Sequence, residues 1–191
     1  MKDYKDIIKK YPLLFPQEED SQEPISLFSF ECDIGWYDII EKACATMYSR
    51  YRSTKNSVNY WKERLENKEK FLEQTRQYEK GKTDEEIIED RQKFLNDLMD
   101  KMEVMEAELP KIAQIKEKFS TLRFYLDVGK ESDYDIASYA ESMSEVTCEK
   151  CGNVGTTYTI GWHKTLCKEH AIERYGEEKV ENYLMQLNKK N

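Results

Sequence analysis

The period of apolar positions changes along the chain, and the changes divide it. From Trp36, residues recur at alternating steps of four and three: Ile40, Cys44, Met47, Tyr51, Thr54, Val58, Trp61, Leu65, Lys68 and Leu72. This is the seam of a heptad helix with polar members at Thr54 and Lys68. A second seam runs through Ile88, Arg91, Leu95, Leu98, Met102, Met105, Leu109 and Ile112. Between them lies Gly81-Lys82-Thr83, and Thr83 with Glu86 has the form of a capping box. The pattern predicts an antiparallel coiled-coil hairpin over residues 54–110, turning near Gly81. At about 1.5 Å per residue each arm extends roughly 45–60 Å, so the hairpin is expected to project from a small core.

The flanking sequence has shorter periods. A helix is expected near Ile7 and Ile8, ending before Pro12. An acidic connector follows over residues 16–23, then an extended apolar run from Ile25 to Phe30. Asp33 to Trp36 reads as a helix start, with Asp33 or Gly35 as the cap. Beyond Pro110, Ile112, Ile115 and Phe119 continue a helical face as far as Ser120. The period then becomes two: Leu122, Phe124, Leu126 and Val128 point one way, Thr121, Arg123, Tyr125 and Asp127 the other. This predicts a strand ending at Gly129, followed by a helix over residues 133–146 with Ile136, Tyr139, Ala140 and Met143 on its apolar side.

Composition sharpens this picture. Charged residues make up 36% of 191, with 7 glycines and 4 prolines, which favours long solvated helices over a turn-rich β fold. The net charge of -8 disfavours non-specific attraction to nucleic acid or an anionic membrane. Acids concentrate at Glu18, Glu19, Asp20, Glu23, Glu31 and Asp33, whereas Thr156 to Lys168 holds Lys164 and Lys168 and no acid. No apolar run reaches membrane-spanning length, and the opening residues do not read as a leader, so a reducing cytoplasm is expected.

The most specific chemistry lies near the C-terminus. Cys148-x2-Cys151 and Cys167-x2-His170 are two soft-ligand pairs at the spacing of a tetrahedral zinc site. Between them, residues 156–160 and 162–166 suggest a β-hairpin around Gly161, and residues 168–187 suggest a helix. Knuckle, hairpin and helix predict a treble-clef module holding structural Zn2+. The nearby His163 reads as a surface residue, and Cys32 and Cys44 as buried thiols.

The fold class expected is therefore mainly α with a small β component: a long helical hairpin inserted in a small α+β core, with a C-terminal treble-clef-like zinc module. The division is 1–53 for the N-terminal helix, acidic loop and first part of the core, 54–110 for the hairpin, 111–147 for the strand and helix of the core, and 148–191 for the zinc module.

A second group is Lys116, Lys118, Arg123, Tyr125, Trp162 and Lys164, which could pair with and stack on a small anionic or nucleotide ligand. The alternative is a half-exposed strand packed under a helix. No acid/base constellation emerges: Glu31 and Asp33 around Cys32 lack a supporting metal motif, so no catalytic residue is assigned.

Three blocks together carry a resemblance: residues 30–40 around Gly35-Trp36, residues 115–125 with Lys116-Glu117-Lys118-Phe119 and Leu122-Arg123-Phe124-Tyr125, and the cysteine knuckle with residues 161–170. In these the chain resembles a family of small bacteriophage and prophage proteins. Ser120-Thr121 stand where that resemblance implies glycines, and the hairpin looks like an enlargement of a shorter segment. The resemblance implies a phage origin, the cytoplasm of an infected or lysogenic bacterial host, and the zinc module. By analogy the expected role is binding rather than catalysis, countering a host defence by sequestering a nucleotide-type signal or blocking a host protein. The alternatives are a nucleic-acid-binding zinc finger and a nuclease or phosphodiesterase. A homo-oligomer could form through the hairpin seam.

Overall fold

The structure is a computed structural model and describes residues 3–16 and 28–189. The acids Glu18, Glu19, Asp20 and Glu23 and the apolar positions Ile25 and Leu27 lie outside the described residues. Helices predominate and the sheets are small. Among the described residues no helix is long and apolar enough to cross a membrane. The chain forms two compact units, one from residues 1–47 with 109–191 and one from residues 48–108.

In the first unit, α1 (Tyr4–Lys10) ends before Pro12, whose ring opens a short 3-10 turn. Strand β1 (Phe30–Glu31) lies parallel to β2 (Lys111–Lys118), which pairs antiparallel with β3 (Thr121–Val128). A 3-10 turn at Ile34–Trp36 leads into α2 (Tyr37–Met47). Asp33 precedes that turn without a side-chain cap. Helix α6 (Glu131–Ser144) packs beside β3 and α2. The core gathers Trp36, Ile40, Cys44, Ile112, Ile115, Leu122, Phe124 and Ala137.

Strand β3 is a sheet edge, and α6 satisfies it: Ser144 Oγ accepts from Leu122 N–H and Glu141 Oε1 from Phe124 N–H, both at 2.8 Å. An exposed edge would otherwise offer unpaired donors.

Strand β2 corrects the helix expected to run from Ile112 to Phe119. Pro110 supplies no N–H, and the register shifts between Ile112 and Gln114 form a bulge. The bulge turns both Ile112 and Ile115 inward, so a strand acquires the three-residue apolar spacing of a helix. Helix α6 forms close to the expected span, yet its apolar side is not all core: Ala140 is buried, while Tyr139 and Met143 face solvent.

The second unit comprises α3 (Ser49–Glu66), α4 (Lys68–Thr75) and α5 (Asp84–Ala107). The continuous helix expected from Trp36 to Leu72 is thus corrected to three pieces. One break is at Tyr48; the other is at Asn67, whose side chain accepts from Lys70 N–H and starts a new helix. The break seats Phe71 and Leu72 on Val58, Leu65, Ile87 and Leu95. Thr83 caps α5 with the reciprocal Glu86 bond, and Gly81 takes a positive φ of 91° in the preceding turn. Tyr51 bonds Glu106 at 2.7 Å, Thr54 reaches Met105, and Trp61 meets Phe94 edge-on. Later residues of α3 meet earlier residues of α5, so these two helices run antiparallel.

Candidate metal centre

The chain leaving α6 turns tightly at the first cysteine pair. The Cys148 carbonyl accepts from Gly152 N–H at 2.9 Å, and Asn153 accepts from Cys148 N–H at 2.7 Å. Strands β4 (Thr156–Tyr158) and β5 (Lys164–Leu166) then pair antiparallel. Cys167 is the N-cap residue of α7 (Lys168–Tyr175), and His170 lies in that helix's first turn. Gly176, at φ 89°, separates α7 from α8 (Glu177–Asn188), which corrects the single helix expected over residues 168–187.

These elements bring Cys148, Cys151, Cys167 and His170 together, with one ligand atom from each lying within 4.8 Å of the others. Cys151 and Cys167 sulfurs are 3.8 Å apart, and His170 Nδ1 is 3.5 Å from Cys148 Sγ and 3.1 Å from Cys167 Sγ. The cluster can hold a metal ion. The surroundings push two of its thiols in opposite directions. Burial opposes ionisation of Cys148, but N–H groups of Cys167, Cys151 and Lys150 outweigh it and bring this thiol down to about 7. Burial, with the side chains of Glu169, Cys148 and Cys151, pushes Cys167 up to about 12. Clustered sulfurs of this kind need a bound cation before all can be thiolates.

Around the cluster the three blocks singled out in the sequence meet. Gly35 N–H donates to the Glu149 carbonyl at 2.8 Å, and Trp36 Nε1 donates to the Thr147 carbonyl at 2.8 Å. A Cβ on Gly35 would stand 2.2 Å from the Cys148 carbonyl oxygen, so only glycine fits there. Lys164 Nζ lies 2.6 Å from Glu149 Oε2 and 2.9 Å from Glu117 Oε2, in an ion triad with each side chain at most 17% exposed. Burial raises the Glu149 carboxyl against the pull of Lys164, while the two carboxylates outweigh burial and raise the Lys164 ammonium. Thr165 Oγ1 donates to the Ser120 carbonyl at 2.8 Å, and Glu117 Oε1 accepts from Ser120 N–H at 2.8 Å. The triad and these bonds tie β5 to the β2–β3 turn, where Phe119 and Ser120 take φ of 54° and 68°.

Compared with family models, curated proteins and solved structures, the chain matches none.

The six residues expected to bind an anion do not converge. Alternation along β2 and β3 puts Lys116, Lys118, Arg123 and Tyr125 on one face and Glu117, Leu122 and Phe124 on the other. Lys164, bonded to Glu117, therefore lies away from Arg123 and Tyr125. Lys116 sits over the Tyr125 ring at 5.4 Å, Lys118 over Phe119, and Arg123 pairs with Glu141 at 3.5 Å. Trp162 is 69% exposed in the β4–β5 loop, where its carbonyl accepts from Tyr175. His163 is exposed as well. Glu31 accepts from Gln114 and Asp33 pairs with Lys150, so neither faces the other as an acid/base pair would.

Sequence pattern alone does not mark Glu117, Glu149 or the seat for Gly35 as site residues. Their one signal is local: a carboxylate inside the cysteine knuckle and a lysine inside the following strand, each a costly residue to bury without a partner.

Proposed function

We propose that Cys148, Cys151, Cys167 and His170 form a closed, structural zinc centre of treble-clef type, and that the protein acts by binding rather than by catalysis. The observation that carries this reading is the ligand set itself: three sulfurs and one imidazole nitrogen fill a tetrahedron and leave no position for a reacting water. Around zinc, with sulfur at about 2.3 Å and nitrogen at about 2.0–2.1 Å, corner separations of roughly 3.5–3.8 Å are expected. The Cys151–Cys167 and Cys148–His170 spacings of 3.8 and 3.5 Å match those corners, while Cys167–His170 at 3.1 Å is tighter and would open slightly around the ion. The order of knuckle, β4–β5 hairpin and α7 supports the treble clef, and the antiparallel α3 and α5 support a coiled-coil hairpin.

The three-block resemblance suggests a phage accessory protein acting in the cytoplasm of its bacterial host, against a defence system. Of the two binding modes, blocking a host protein has the better physical support. Lys164 is committed to Glu117 and Glu149, and Arg123 to Glu141, which leaves Lys116 and Tyr125 as the core of any nucleotide site. Elemental analysis of the purified chain should give one zinc per chain, lost in Cys151→Ala and His170→Ala together with folding of the C-terminal module over residues 148–191. A metal-free folded chain would overturn the zinc reading. Calorimetric binding of a nucleotide signal, abolished by Tyr125→Ala, would replace the protein-partner reading.

A further inference from the structure

Helices α2 and α6 leave an open groove of about 580 Å³ between them. The chain after α6 bonds the chain before α2, through Trp36 to Thr147, so the two helices run antiparallel. Each contributes a stripe at the same helical spacing. Ala43 and Ala140 form the floor, and Ile39, Ile136, Tyr139 and Met143 form the walls. The alanines are buried, yet Tyr139 is 69% exposed. The apolar lining is open to water, where a partner's apolar side chains could cover it.

The shape and rim specify an occupant. Small floor residues let a third helix approach the pair closely, as in ridge-and-groove packing. The stripe spans about 12 Å, or two helical turns, which matches anchors at i, i+3 or i+4, and i+7 of one helix. Asp135 lies on the rim near the start of α6, and Asp38 and Lys42, four residues apart, line the α2 side. On a chain of net charge -8, the Asp135 carboxylate favours a cationic group on the partner at that end. We propose that this groove docks an amphipathic helix of a protein partner, apolar along one face and carrying Lys or Arg where that face meets Asp135. The proposal rests on the binding-protein reading above and names the chemistry of the partner.

The test uses the full chain and a fluorescent 16-residue helical peptide with leucines at the anchor spacing and lysines flanking them. A scrambled peptide of the same composition and a peptide with glutamates for the lysines serve as controls. Anisotropy should show saturable binding of the first peptide only. Tyr139→Ala should weaken it by about tenfold, the scale of an exposed aromatic anchor. Asp135→Lys should weaken the lysine peptide and strengthen the glutamate peptide. Tyr78→Ala, in the second unit, should change nothing, and circular dichroism checks that each variant is folded. Equal binding of the scrambled or glutamate peptide, or indifference to Tyr139→Ala, would overturn the proposal. So would a concentration-dependent dimer abolished by Tyr139→Ala, since a second copy would then be the occupant. A folded chain without zinc that still binds the peptide would remove the metal reading and leave the groove.

Discussion

Gly35 donates its backbone N–H to the carbonyl of Glu149 at 2.8 Å, and its missing side chain is what lets the two segments touch. The start of α2 and the cysteine knuckle are therefore one structural unit. Gly35→Ala should push the knuckle away, because the clashing atoms are backbone and cannot rotate aside. The expected cost is about 1–3 kcal/mol of stability, with faster loss of metal to a chelator. Denaturant unfolding and metal-release kinetics measure both, and an unchanged release rate would separate Gly35 from the metal site.

Lys164 holds two carboxylates below the surface. Lys164→Ala leaves Glu117 and Glu149 buried and unneutralised, a loss on the order of 3–5 kcal/mol. Lys164→Met combined with Glu117→Gln and Glu149→Gln removes all the charges and should recover most of that stability. Chemical denaturation of the two variants decides whether the triad stabilises through its charges or through packing alone.

Much of the fold follows from local pattern, and the departures have local causes. The capping box at Thr83, the strand at Leu122 and Phe124, and the cysteine and histidine pairs all carry their signal within a few residues. The β2 strand does not, because its bulge gives Ile112 and Ile115 a helical spacing. The break at Asn67 depends on a side-chain cap competing with helix continuation, a choice the seam pattern does not register. The ion triad joins Glu117, Glu149 and Lys164 from separate elements, and only the assembled fold shows their contact. Tyr139 fits a core pattern by spacing, but α6 has no described partner element over it.

The thiols should divide by environment. Burial, and then the charges of Glu149 and Asp33, push the Cys32 thiol up to about 12, and burial raises Cys44 further. Neither should react with a disulfide reagent at neutral pH, and Cys32 should become reactive only as the pH approaches 12. Adding a strong chelator at neutral pH should unfold the segment that holds the ligands, so that Cys148, Cys151 and Cys167 leave the environment that sets their pKa values and react as three ordinary exposed thiols. Fast thiols before chelation would contradict a filled site.

Ser120 occupies a left-handed backbone conformation with φ 68°, which costs a residue bearing a Cβ. Ser120→Gly keeps the backbone bonds to Glu117 and Thr165 and should stabilise the protein by about 1 kcal/mol. Thermal unfolding at fixed metal loading tests this. A destabilised variant would show that the serine hydroxyl, which bonds the Phe119 carbonyl, outweighs the strain.

X-ray absorption at the zinc edge tests the closed centre most directly. The expected first shell is three sulfurs at about 2.3 Å and one nitrogen at about 2.0 Å, with no oxygen. A water or hydroxide oxygen in that shell, or fewer than three sulfurs, would contradict a structural site and reopen it to chemistry.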